Sequence, residues 1–353
     1  MLERLVLPPW LKAGLALPLL VLNLWVLRQL LLPLAPFPAL FVAAALIAFL
    51  LDIPSLWLRQ RGTPPWLATV LVLGVSLGLL ASAAIWVVPR LIEQLGELVA
   101  ALPGWLAQGE LWLDRLEGWA DQQGIPTDFG NVSSDLITRI SKLASQLSQR
   151  LLGLLGATVG ITVNTVIVLV LAVFLLLGGE RISAGLALWL PPGVRDLVAS
   201  TLNRTFRGYF AGQVLLALIL SGLQILVFTL LQIPYGVLFA VVIGFTTLIP
   251  YASAVTIVLV SALLALDNPR TGLEVLAAAI SVGQLVDQVI QPRLMGSIVG
   301  LQPAWLLISL PVGARIGSLM GLGELLGLLL AVPVASCVKT LLEAWRLGAA
   351  AEE

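Results

Sequence analysis

Long apolar runs with no alternation dominate the chain. Leu154 to Leu177 is apolar on nearly all sides. A lipid-embedded helix has that pattern, whereas a barrel strand alternates apolar and polar positions over about ten residues. Runs of this kind predict helices at 13–31, 36–51, 66–88, 154–178, 209–231, 236–265, 272–291 and 303–340. Two of them exceed the roughly 20 residues that cross a hydrocarbon core about 30 Å thick. The run at 236–265 contains Pro250, and that at 303–340 contains Pro311, Pro333 and many glycines. Each is therefore either one bent span or a broken, re-entrant hairpin. The expected fold class is an all-α integral membrane protein of about eight transmembrane helices.

The pattern changes between Pro89 and Arg150, which hold about a third of the charges and three tryptophans. Leu91, Leu98, Trp105, Trp112 and Trp119 recur every seven residues, interleaved with Leu95, Leu102 and Leu116. This is the seam of an amphipathic helix that packs on another helix, with a kink expected at Pro103-Gly104. A second seam, Leu136, Ile140, Leu143, Leu147 and Leu154, follows the turn-rich loop 121–134, with Ser134 placed to cap it. The two form an expected water-exposed helical hairpin between the third and fourth spans. Its open roles are packing, oligomerisation or a lid that captures solute. The organisation is thus 1–88 with three transmembrane helices, 89–150 exposed, 151–346 with the remaining helices, and a short tail at 347–353.

Composition supports the membrane reading: hydrophobic residues make up 59% and charged residues 11%, with mean hydropathy +1.04, against about 25% charged in soluble domains. The net charge of +0 and the absence of histidine argue against a nucleic-acid partner or a histidine metal site. Cys337 is the only cysteine, so no intramolecular disulfide is expected, nor a cofactor held by thiolates. Arg4 and Lys12 precede the first apolar run, which reads as a retained anchor. Arg59, Arg61, Arg181, Arg195, Arg204, Arg207, Lys339 and Arg346 follow alternate helices, while 32–38 and 232–236 are uncharged. Positive connections stay in the cytoplasm, so both termini are expected there. In this eight-crossing layout Arg293 falls on the outer side, against the rule.

No Walker loop, nucleophile elbow or HExxH helix is present, which argues against a primary pump or an enzyme. Polar groups inside apolar helices then carry the functional signal. Gln284, Asp287 and Gln288 share part of one helix. A carboxylate flanked by amides can bind a cation or exchange a proton; the alternative is a structural pair with Arg293 or a residue reaching water. Arg315 and Glu324 sit among glycines and are either a mid-membrane ion pair or a solvated hairpin tip. Ile233-Pro234-Tyr235 recurs as Ile249-Pro250-Tyr251, with Thr246 and Thr247 just before the second copy. The Pro250 break offers a carbonyl near Thr246 to a solute pathway, or is an inert kink satisfied by the threonine hydroxyls. The spaced glycines Gly74/Gly78, Gly156/Gly160, Gly208/Gly212 and Gly317/Gly321 are expected helix contacts.

Several of these residues lie in ordered motifs: Gly208-Tyr209-Phe210-Ala211-Gly212-Gln213, Ile249-Pro250-Tyr251, Asp287 with Gln291-Pro292-Arg293-Leu294-Met295-Gly296, Gly300-Leu301-Gln302-Pro303, Gly321-Leu322-Gly323 and Ala331-Val332-Pro333. In this order, over about 151–342, the chain resembles the autoinducer-2 exporter (PerM-like) family of bacterial membrane proteins. The resemblance implies a multi-pass inner-membrane protein that exports a small signalling molecule or, in some members, exchanges sodium or lithium for protons. One departure is that the family commonly continues Pro-Tyr with a small apolar residue, Gly and Pro. Here Ala252 is followed by Ser253 and Ala254, so the second break is lost.

The resulting expectation is a secondary transporter whose pathway or coupling residues come from Asp287, Gln284, Gln288, Arg293, Arg315, Glu324, Pro250, Tyr251, Thr247 and Gln213. Its partners are the lipid bilayer and a small-molecule or cation substrate, with a homo-oligomer left open. A sodium(lithium)/proton antiporter is one alternative, and a membrane scaffold that moves nothing is another.

Overall fold

The computed structural model describes residues 36–122, 158–188, 192–295 and 303–350, with isolated helical positions at 22, 23, 26, 29, 142, 146, 149 and 153. The expected first helix (13–31), the seam 136–154 and the loop around Ser134 lie outside these residues or touch them only at isolated positions.

Among the described residues every regular element is a helix: α1 (Pro36–Gln60), α2 (Pro65–Trp86), α3 (Val88–Gln122), α4 (Thr158–Ala187), α5 (Pro192–Leu230), α6 (Gly236–Thr246), α7 (Ala252–Asp267), α8 (Pro269–Leu285), a π-helical turn (Val286–Ile290), α9 (Gln291–Met295), α10 (Pro303–Leu319) and α11 (Glu324–Ala350). Five of these helices open on proline, whose fixed φ suits the first helical position and whose missing N–H is not needed there. Among the described residues, five helical stretches are long and apolar enough to cross a membrane: Phe37–Gln60, Pro65–Gly109, Val198–Leu230, Pro269–Leu294 and Glu324–Leu341. The chain therefore has the composition and shape of an all-α membrane protein.

Helix α5 is the hub. Its first half packs Tyr209 and Phe210 against Val332 of α11 and Leu46 and Leu50 of α1. Its second half buries Leu216, Leu220 and Phe228 in the main core with α6, α7 and α8. It begins at Pro192, well before the expected 209, because the amphipathic stretch with Arg195, Arg204 and Arg207 continues the same helix. At 39 residues it is about 58 Å long, more than a bilayer core requires.

The run 236–265 is not one span. It divides at Thr247–Tyr251 into α6 and α7, about 17 Å and 24 Å long. Both outer ends of this pair meet α3. Trp105 packs on Tyr235 with ring centroids 5.7 Å apart. One turn further along α3, a Cβ on Gly109 would lie 2.8 Å from Leu266. The pair is thus a hairpin that enters and leaves at the same end of the bundle. Small residues let it seat closely: a Cβ on Gly272 would meet the Ser261 carbonyl at 2.6 Å, and one on Gly244 the Ala217 carbonyl at 2.9 Å. Helix α8 then runs the other way, which carries Arg293 to the opposite end from the 232–235 turn.

The run 303–340 also divides, at Met320–Gly323, into antiparallel α10 and α11. Gly321 and Gly323 take φ of 76° and 83° in that turn, a region glycine enters without strain. Helix α3 continues α2 almost without interruption and passes through Pro103 as helix. Its seam divides in two. Leu98, Leu102 and Trp105 are buried against the hairpin, whereas Trp112 and Trp119 are exposed.

Candidate functional site

Two left-handed tyrosines frame the hairpin. Tyr235 precedes α6 with φ 56° and Tyr251 precedes α7 with φ 66°. The repeated Ile-Pro-Tyr is therefore one structural device used twice: proline stops one helix and the tyrosine reverses the chain into the next. A bulky residue in this conformation costs on the order of 1–2 kcal/mol and persists only where surrounding contacts impose it. At Tyr235 those contacts are the rings of Trp105 and Phe239, and in the first turn of α6 Gln94 Oε1 accepts the Leu238 N–H at 2.8 Å. Tyr235 cannot cap its own helix, so Gln94 caps α6 from another element. Burial, then the Glu97 and Asp267 carboxylates, hold the Tyr235 phenol above its ordinary value.

At the inner tip of the hairpin the backbone is held from α5. Buried Gln213 donates Nε2 to the carbonyls of Thr247 at 3.1 Å and Leu248 at 3.4 Å. The Thr246 carbonyl accepts the Ile249 N–H at 3.0 Å. The expectation of an open carbonyl at Thr246 is thereby corrected: the chain tightens into a short turn there, and the carbonyls held by a side chain are the next two. The threonine hydroxyls do not satisfy the break either, since both bond back to the Ile243 carbonyl. Gln213, Thr247, Pro250 and Tyr251 thus come together at one place, and Tyr251 is exposed. Helix α7 starts directly at Ala252, as the lost second break requires.

Gln284, Asp287 and Gln288 form a second cluster on an exposed face, with Gln288 Nε2 donating to Gln284 Oε1 at 2.6 Å. Asp287 lies in the π turn, and Pro292 explains why that turn exists. Proline has no N–H for the carbonyl four residues back, and its ring crowds that carbonyl. The helix widens by one residue, so the Gln291 N–H bonds to Val286 rather than to Asp287. Gln291 is taken up by Val286 and Pro292 carries no N–H, so neither donates to the Asp287 carbonyl. A backbone carbonyl without these two donors, a carboxylate and two amide side chains therefore lie within one turn, and π turns of this kind recur at functional sites. Asp287 makes no ion pair with Arg293 among the described residues.

The two clusters lie at similar depth. Gln224 on α5 donates to the Ala279 carbonyl on antiparallel α8 at 3.2 Å. From that contact Gln213 lies about 16 Å along α5 and Asp287 about 12 Å along α8. Arg315 and Glu324 are both exposed and form no ion pair with each other among the described residues. Glu324 opens α11, where the helix dipole favours a negative charge. Of the spaced glycines, Gly317 packs against the α11 backbone while Gly74 and Gly78 face open space.

Some features were not visible in the sequence. Asp52 on α1 pairs with Arg207 on α5, 155 residues away, both largely buried. Gln94 capping α6 is another such pair, and neither has a local signal.

A model of the AI-2E family of transporters matches residues 15–347. The chain belongs to this family. A protein of Synechocystis sp. is 33% identical over 335 residues, covering 94% of this chain and 95% of that protein. A second from the same organism is 35% identical over 336 residues, covering 93% and 83%. Both are named provisionally as transport proteins. The protein of Escherichia coli (strain K12) named provisionally as the permease PerM is 28% identical over 321 residues, covering 88% of each chain. As an AI-2E family member, the chain is a multi-pass membrane protein of a transporter family.

Proposed function

We propose that the protein is a secondary transporter that exports a small polar solute, coupled to a cation or proton at Asp287. The π turn carries this reading: it sets the Asp287 carboxylate, a carbonyl that neither Gln291 nor Pro292 donates to, and the amides of Gln284 and Gln288 within one turn. A partly desolvated cation needs such oxygens, and they are costly inside an apolar helix unless used. The Gln213-held tip of the hairpin lies at nearly the same depth. Movement at one cluster therefore reaches the other through α5 and α8, which pack together.

We also propose the membrane path. The expected first helix, α1, α2, α4, α5, α8–α9, α10 and α11 cross, and α6–α7 does not. The hairpin removes one crossing and the split of 303–340 adds one, so the count remains eight with both termini cytoplasmic. Arg293 then joins Arg59, Arg61, Arg204 and Arg207 on the cytoplasmic side, as the positive-inside rule requires. The inner membrane is the proposed location.

The test uses protein in liposomes with a trapped pH dye, comparing wild type with Asp287→Asn on external sodium or lithium. A cation-induced pH change in the wild type that disappears in the variant supports coupling through this carboxylate. An unchanged response in the variant overturns it. Sodium(lithium)/proton exchange without any other solute is the second reading, favoured by the same oxygen cluster.

A further inference from the structure

The close approach of Gly109 to Leu266 has a neighbour one turn further along α3. There the helix overhangs the turn between α7 and α8 and leaves a cleft of about 340 Å³ at the end of the bundle. Arg115 and Asp267 face this cleft without forming an ion pair with each other. The Arg115 guanidinium lies over the Trp112 ring, 5.2 Å from its centroid. That contact holds the guanidinium beside the indole, where its N–H groups can donate to an anion. Gln108 and Asn268 add amides, and the Asn268 side-chain oxygen is taken by the Arg270 N–H at 3.0 Å, so its NH2 remains a donor. Leu111 and Pro269 add an apolar edge.

Among the described residues that line it, one cation and one anion balance each other. A simple anion would meet Asp267 and a simple cation would meet Arg115, each a like-charge contact. A small molecule with both charges satisfies both sides, and one with a short apolar tail also covers Leu111 and Pro269. The volume falls at the small end of ligand pockets, which run from about 300 to 1,000 Å³.

We infer that this cleft binds a small zwitterion of the amino-acid class, its carboxylate on Arg115 and its ammonium on Asp267. The cleft lies against the C-terminal end of the re-entrant hairpin, so an occupied cleft braces α3 against α7 and α8. The inference rests on the transport reading for its purpose but not for its test, which measures binding and no flux.

The experiment uses the full chain in nanodiscs and equilibrium dialysis with three matched probes: L-leucine, 4-methylpentanoate lacking the amine, and isoamylamine lacking the carboxylate. Leucine should bind saturably and at least about 10-fold more tightly than either analogue, the size of one lost charge-assisted contact. Arg115→Gln should erase the preference for leucine over isoamylamine and keep that over 4-methylpentanoate. Asp267→Asn should do the reverse. Both positions are at the surface of the cleft, and matching size-exclusion profiles establish that the variants fold. Absence of saturable leucine binding, equal binding of all three probes, or unchanged preferences in either variant overturns the inference. Failure of the Asp287 experiment with leucine binding intact would remove the coupling at Asp287 alone.

Discussion

Gly317→Ala tests whether α10 and α11 are held backbone to backbone. A Cβ at Gly317 would lie 2.6 Å from the Gly327 Cα, 2.7 Å from the Gly323 carbonyl oxygen and 2.9 Å from the Gly327 nitrogen. Ordinary contact begins at 3.4 Å, so the nearest atom is 0.8 Å too close. All three neighbours are backbone, and no side chain can rotate away. The helices must separate, and overpacking of this kind costs about 1–3 kcal/mol. Alanine also favours a helix over glycine by up to about 1 kcal/mol. Gly74→Ala supplies the control, because it makes the same change with nothing within 4 Å. The propensity gain is common to both variants, so the difference between them isolates the packing. Equilibrium unfolding in mixed micelles, by titration with a denaturing detergent, should place Gly317→Ala about 1–3 kcal/mol below Gly74→Ala. Equal stability of the two variants would refute the close approach.

Three further outcomes follow from the contacts. Gln213→Leu leaves the Thr247 and Leu248 carbonyls without their donor, and the hairpin tip should loosen, with stability falling by about 1–3 kcal/mol in the same titration. Hydrogen exchange at Leu248–Tyr251 should rise more than elsewhere. Asp52→Asn or Arg207→Gln should each cost about 1.5–3 kcal/mol, and the exchanged pair Asp52→Arg with Arg207→Asp should recover part of the loss; no recovery would mean that the two do not act as a pair. The Tyr235 phenol is held above its ordinary value, first by burial, so folding favours its neutral form. Its contribution is complete below the ordinary value near 10 and is lost as pH rises through the raised folded value. Thermal midpoints of wild type should therefore drop more steeply than those of Tyr235→Phe above about pH 10.

Much of this architecture was legible because lipid imposes a coarse rule. A run apolar on all sides has few alternatives to a helix, and proline and glycine mark where it must stop. Pro250 and the Gly321-Leu322-Gly323 turn fall where the two overlong runs divide. The sequence left open whether a broken run crosses or turns back, because that depends on what its ends touch. Trp105 and Gly109 bring both outer ends of α6–α7 to one side, and both lie more than a hundred residues away in the chain. The same limit applies to the candidate site. Gln213 stood out in the Gly208–Gln213 motif and Thr247 beside Pro250, yet that one holds the other's carbonyl is a tertiary fact. The π turn at Asp287 was implicit in Pro292, one turn further along. The Asp52–Arg207 pair had no local pattern at all.

Helix α3 also bears on how the protein is made. Gln94, which caps α6 at Leu238, is synthesised 144 residues before its partner. At about 5–20 residues per second the helix waits roughly 7–30 s before the backbone it caps exists. During that interval Leu98, Leu102 and Trp105 have no hairpin to cover them. In the proposed membrane path neither α6 nor α7 crosses, so the hairpin settles only once both α5 and α8, on which it packs, have been made. Assembly of this part is therefore completed late, with the early helix covered only by elements made after it.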